Sequence, residues 1–428
     1  RFFSVEGYLC VLSIYYWLGI ANPFHADVHG VDLRHAIIQK VLVLVVVGSA
    51  LLWWGALQGR RLASRRTGPL ASVRSRDDPA VLKRAWMASL VLLSAGCLVA
   101  VLCYVRFGIP ALADNQGQAR AAFVQALSPY TYYQWLLVEV GIGLAAFVLA
   151  NDRDSNNSPR RWILFAAGCG ALIVLAGVTS RVTLATPVVL GAIVWWSQGR
   201  RIPWYAVIAG ALGAILVIGL IWIVRTQALG SVTVYGVEFD LGGGPWQGLR
   251  TVTAALSIFA RTSIEVFAMF VRGDLPKLHG EIAFMSVIAL LPGRQSDLGL
   301  FNISKLLGYD TSQGTTVSLF GGMYGDFGAA GILLLAPLLG AALGYGERRA
   351  RESDGLGGLY YGVTLSYYLN MIYGGQLLDA TLLWKLWLCL LVVRCIRTGH
   401  LARTRFGIAQ AGTTFALYGY GLLQLVLG

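Results

Sequence analysis

Long uninterrupted apolar runs separated by short polar gaps set the pattern of this 428-residue chain. Residues 35–57, 85–105, 130–150, 161–178 and 204–224 each reach or approach the roughly 20 apolar residues that cross a hydrocarbon layer. Barrel strands alternate apolar and polar positions, whereas these runs are continuous, so the pattern predicts transmembrane helices. Residues 4–21 lack the basic leader and small-residue cleavage site of a signal peptide and read as a retained span. Residues 406–427 carry no charge and form a last candidate span, although Gly407, Gly412, Gly419 and Gly421 weaken it as a helix. Residues 282–291 are too few to cross and stop at Pro292, which reads as a re-entrant or interfacial helix.

Composition turns this pattern into a fold class. With 56% hydrophobic and 13% charged residues, the chain has more apolar surface than a soluble core of its length buries, and its mean hydropathy is +0.64. The expected fold is all-α, a polytopic membrane protein with about 10–11 transmembrane helices. A net charge of +13 does not point to nucleic acid here, because the basic residues flank the apolar runs and form no groove-lining pattern with stacking aromatics. All six cysteines (Cys10, Cys97, Cys103, Cys169, Cys389 and Cys395) fall inside apolar runs without a Cys-x-x-Cys pair, so neither a disulfide framework nor a zinc site is expected.

The arginines orient the chain. Residues 58–84 hold Arg60, Arg61, Arg65, Arg66, Arg74, Arg76, Lys83 and Arg84 against Asp77 and Asp78, which assigns this gap to the cytoplasm. Counting from it, the cytoplasmic side also receives Arg153, Arg160 and Arg161, then Arg200 and Arg201, then Arg348, Arg349 and Arg351, then Arg394, Arg397, Arg403 and Arg405, with no contradiction. The opposite face receives 22–34, 106–129, 179–182, 226–320 and 374–378. Three domains follow: 1–225 with about seven N-terminal spans, a large external loop at 226–320, and C-terminal spans over 321–428. That long loop carries scattered single arginines, acids, glycines and aromatics in place of a basic block, the pattern of a substrate site on the far side of the membrane.

Several residues on that side are candidates for chemistry. Arg181 sits at an external helix junction, either snorkelling to lipid phosphates or facing a substrate. Between 250 and 272 the chain carries Arg250, Arg261, Glu265 and Arg272 on a helical pattern, with Leu256, Phe259, Ile264, Phe267 and Phe270 as an apolar face. Arg261 and Glu265 share a face, as a surface ion pair or as an anion-binding guanidinium oriented by a carboxylate. Pro292 and Gly293 fix a turn that aims Arg294 into a cavity or leaves it on an exposed loop. His279, beside Lys277 and Glu281, has a side chain suited to proton transfer near neutrality, and is otherwise a solvated loop histidine. Tyr324 and Asp326 lie in a glycine-rich stretch that lacks the strand-to-helix setting of a nucleotide loop. His25 and His29 flank Asp27 at a spacing that matches no helical metal motif, and no metal or other cofactor is expected.

Three features together resemble the Wzy-type O-antigen polymerases, which join oligosaccharide repeat units at bacterial inner membranes. They are the many spans with a large late external loop, Thr179-Ser180-Arg181 opening a middle helix, and Leu291-Pro292-Gly293-Arg294 followed by the stretch from Ser318 to Gly331. That last stretch, Ser-Leu-Phe-Gly-Gly-Met-Tyr-Gly-Asp-Phe-Gly-Ala-Ala-Gly, is similar to the segment that opens the helix after the family's loop. Arg181 is followed by Gly191 at a spacing that departs from the family's arginine–glycine pattern, and no second copy appears.

The resemblance implies a GT-C-like architecture in the inner membrane, with the active site facing the periplasm. It also implies a polyprenyl-pyrophosphate-linked glycan as donor, membrane lipids as surroundings, and a chain-length regulator as a partner to be sought. Arg181, Arg261 and Arg294 would hold the pyrophosphate, with Arg250 and Tyr324 also touching substrate. Glu265, His279 or Asp326 would orient or deprotonate the acceptor hydroxyl. Two rivals remain: an O-antigen ligase acting on lipid A core, and a flippase or transporter for the same lipid. A transporter would carry charges inside its spans, whereas here the arginines collect at the external face.

Overall fold

The computed structural model of the chain describes residues 3–21, 36–66, 78–113, 119, 122–123, 136–152, 159–178, 181–200, 202–203, 205, 231–234, 237–240, 247–285, 300–308, 316–352, 355–372, 374–378 and 380–399. Among them run twelve α-helices: α1 (Val5–Ala21), α2 (Ala36–Arg66), α3 (Pro79–Phe107), α4 (Leu136–Asn151), α5 (Pro159–Ala176), α6 (Arg181–Ser197), α7 (Gln247–Arg272), α8 (Leu300–Leu306), α9 (Leu319–Phe327), α10 (Ala329–Glu352), α11 (Gly357–Met371) and α12 (Ala380–Thr398). One antiparallel hairpin, β1 (Ser231–Val234) with β2 (Val237–Asp240), supplies the only strands among the described residues and pairs Ser231 with Asp240. The chain is an all-α polytopic membrane protein. Among the described residues α2, α3, α5 and α10 are long and apolar enough to cross a bilayer, and α1, α4 and most of α6 are shorter apolar helices. The expected span at 406–427, all but Tyr205 of the one at 204–224, and residues 286–291 of the expected short helix at 282–291 lie outside the described residues, while residues 282–284 form a turn.

Local chemistry explains the boundaries. Asp78 caps α3 by accepting the Ala80 amide at 2.8 Å with Pro79 at the first helical position, and Gly108, at φ 81°, ends it. The spans turn apolar side chains outward: Val43, Val46 and Trp54 on α2, Val91, Leu98 and Val105 on α3, Trp162 and Ile173 on α5, Leu334 and Leu338 on α10 are all exposed. Such rows fit lipid and would be a liability in water.

The chain forms two compact units interleaved along the sequence: Arg1–Arg66 with Gly210–Glu347 and Tyr367–Ala380, and Thr67–Ala209 with Arg348–Ser366 and Thr381–Gly428. In the second, α4 packs against α3 and α6, and α5 against α3. Leu93, Cys103, Val138 and Leu175 share its core. Between the apolar helices α4 and α12, Glu139 and Lys385 form an ion pair of 2.6 Å, with both residues buried.

In the first unit, α2 and α10 approach backbone to backbone. A Cβ on Gly59 would collide with the Ala341 carbonyl, and one on Gly340 with the Leu52 carbonyl, so glycine is what permits the contact. Gly340→Leu is expected to cost more than the ~1–3 kcal/mol of ordinary overpacking, because backbone has no room to yield. A melting temperature in nanodiscs equal to that of the parent would refute this packing. At one end of the pair Arg60 bonds Glu6 at 2.6 and 2.9 Å and Glu347 at 2.6 Å, while Glu347 also accepts the Val5 amide at 3.2 Å. Glu6, Arg60 and Glu347 thus meet in one ion cluster.

Candidate functional site

The long loop contributes a deep element to the first unit. Over α7, Ile264, Phe267 and Phe270 are buried as the apolar face required, and α7 packs against α1, α2 and α9. A Cβ on Gly19 of α1 would meet the Ala260 backbone, and Tyr15 donates to the Ser263 hydroxyl at 2.7 Å. Polar residues therefore enter the interior on α7: Ser257, Arg261, Thr262, Ser263 and Glu265 are all buried. The Arg261 Nε–H donates to Glu265 Oε1 at 2.9 Å, with Arg261 8% and Glu265 0% exposed. This overturns the reading of the pair as a surface ion pair, because a solvated pair would leave both groups in water.

The opposite face of α7 meets the glycine-rich segment. The Phe267 ring sits 5.8 Å from that of Tyr324, a Cβ on Gly321 would touch the Phe267 side chain, and one on Gly325 would meet the Phe270 ring. Ser318 caps α9 through the Gly321 amide at 3.2 Å, and the Phe320 amide donates to the Tyr16 hydroxyl at 3.2 Å. A Cβ on Gly48 would lie 2.7 Å from the Phe320 ring. Gly48 stands twelve residues before Arg60 on α2, about 18 Å along the helix from that ion cluster.

Around the C-terminal end of α9 the loop after α7 folds back. The Leu278 amide donates to the Gly325 carbonyl at 3.0 Å and the His279 amide to the Asp326 carbonyl at 3.2 Å. The Asp326 carboxylate accepts the Ile282 amide at 3.1 Å and the Ala283 amide at 2.7 Å. Burial pushes the Asp326 carboxyl above the ordinary aspartate range, opposed by these amides and that of Gly280, while the Glu281 charge adds to the rise. His279 is exposed with φ 52°. Lys277 is exposed too, and its Nζ lies 2.8 Å from where a Gly328 Cβ would stand, a favourable place for a cation beside the last carbonyls of a helix.

Of the residues singled out in the sequence, the structure gathers Arg261, Glu265, His279, Tyr324 and Asp326 in the first unit, with Arg250 exposed in the first turn of α7. Arg181 opens α6 in the second unit, and its side chain lies outside the described residues, as does Arg294 altogether. Sequence reasoning missed the Glu139–Lys385 pair, whose signal was one acid and one lysine inside two apolar runs.

Comparison with curated proteins and with solved structures returned no match. A family model described as "Putative O-antigen polymerase" matches residues 9–383, a stretch that contains every residue placed in the site above. The match covers most of the 428 residues and agrees with the helical membrane architecture, and the chain belongs to the O-antigen polymerase family.

Proposed function

We propose that the protein polymerises polyprenyl-pyrophosphate-linked oligosaccharide repeat units at the periplasmic face of the bacterial inner membrane. The observation that carries this reading is the buried Arg261–Glu265 pair on α7, a helix of the long loop that also packs against the glycine-rich segment. Breaking the anomeric C–O bond builds negative charge on the departing pyrophosphate. A guanidinium already held by a carboxylate, at low dielectric, stabilises that charge without reorganising. Arg181 and Arg294 supply further positive charge on the same face in this reading, with Arg250 at the approach to α7. Tyr324 borders the site, and the exposed His279 takes the proton of the acceptor hydroxyl as it attacks C1, so that the glycosidic bond forms as the pyrophosphate leaves.

A chain-length regulator remains a partner to be sought by co-purification. The test is substitution of Arg181, Arg261 and Arg294 singly by Ala in cells that depend on this protein for polymer. Each variant is expected to leave single-repeat lipid and no ladder, with normal protein levels in the membrane for Arg181→Ala and Arg294→Ala and lowered levels for Arg261→Ala, which takes the guanidinium away from the buried Glu265. Full-length polymer from all three would remove the anion site.

A further inference from the structure

We propose that Asp326 is a positioning residue: by accepting the Ile282 and Ala283 amides it folds segment 278–283 over the end of α9 and fixes His279 for the transfer step. The inference rests on the polymerase reading for the reaction, and on geometry alone for the clamp. Asp326 is 1% exposed and each carboxylate oxygen already accepts an amide, so it has no face to offer a sugar hydroxyl.

The segment it holds is unusual. His279 is the one non-glycine residue with positive φ among the described residues, a conformation that persists only where the surroundings over-determine it. Those surroundings are the Leu278 and His279 amides on α9 carbonyls, the Phe284 amide on the Gly280 carbonyl at 3.0 Å, and the Ala283 carbonyl accepting from the Leu377 and Leu378 amides at 2.9 Å each. Leu278, Gly280, Ile282 and Ala283 are buried while His279 between them is exposed, so the clamp displays one imidazole from an otherwise enclosed strip. Lys277 and Glu281 are the charged neighbours on either side.

The experiment uses the full chain in nanodiscs and combines Asp326→Asn, His279→Gln and the double variant. A carboxamide keeps one acceptor and turns an N–H₂ toward the second amide, so one clamp bond is lost. Hydrogen exchange at residues 282–283 is expected to rise about tenfold in Asp326→Asn, with α10 unchanged. With polyprenyl-pyrophosphate oligosaccharide as substrate, Asp326→Asn is expected to lower kcat more than it changes KM, and the double variant to be no slower than His279→Gln alone. Exchange unchanged at 282–283, or losses that multiply in the double variant, would overturn the proposal. Full activity of His279→Gln would overturn it as well while leaving the polymerase reading intact. No ladder from the parent protein would count against the polymerase reading, and the exchange comparison then decides the clamp by itself. Should Asp326→Asn unfold, the His279→Gly background decides: glycine adopts φ 52° freely, so Asp326→Asn is expected to lower the melting temperature less there than beside histidine. An equal drop in both backgrounds would contradict the clamp.

Discussion

Arg261→Lys is expected to slow polymer formation by roughly 10²–10³-fold, the range seen when one preorganised donor to a developing oxyanion is lost. The substitution keeps the charge, so its effect isolates the geometry of the guanidinium. Arg261 spends its Nε–H on Glu265 at 2.9 Å, an arrangement that turns the rest of the planar fork in a fixed direction. An ammonium is a point charge on a flexible stem and cannot hold both the carboxylate and an anion with the same planar geometry. Lysine also avoids leaving Glu265, 0% exposed, as an uncompensated buried charge, so folding is expected to survive. Initial rates on a purified lipid-linked donor, alongside size-exclusion profiles, check this. An Arg261→Lys enzyme as fast as the parent would mean that charge alone suffices and that the oriented pair has no role in the transfer.

The second large effect lies in the other unit. Lys385→Ala is expected to destabilise the protein by about 3–5 kcal/mol, because it strands Glu139 without a partner between apolar helices. Replacing both residues together, by Glu139→Leu with Lys385→Met, is expected to recover most of the loss, since a buried ion pair contributes little net stability over apolar groups that fill the same space. Thermal unfolding of the three variants in nanodiscs reads this directly. Lys385→Ala as stable as the parent would show that the 2.6 Å pair is not formed in the bilayer.

How much of this was legible in the sequence depends on the range of the interaction. The spans were readable because a bilayer imposes one length and one polarity on any helix that crosses it. The face of α7 that carries Ile264, Phe267 and Phe270 was readable for the same kind of reason, since period 3.6 survives in the residue order. What the order could not show is which side of that helix meets protein. Arg261 and Glu265 looked equally suited to a surface pair, and only the packing of α7 against α1, α2 and α9 buries them. Asp326 was legible as an unusual acid and not as a loop anchor, because its amide partners lie 44 and 43 residues away. The Glu139–Lys385 contact joins residues 246 positions apart, and no local pattern encodes such a pairing.

The central claim is the reaction, and its most direct test is purified protein in nanodiscs with a polyprenyl-pyrophosphate oligosaccharide as sole substrate, resolved by glycan length on a gel. The account predicts a ladder without added metal or nucleotide, together with release of polyprenyl pyrophosphate. Transfer that appears only once lipid A core is added would make the protein a ligase, and no transfer under either condition would contradict the proposed chemistry altogether.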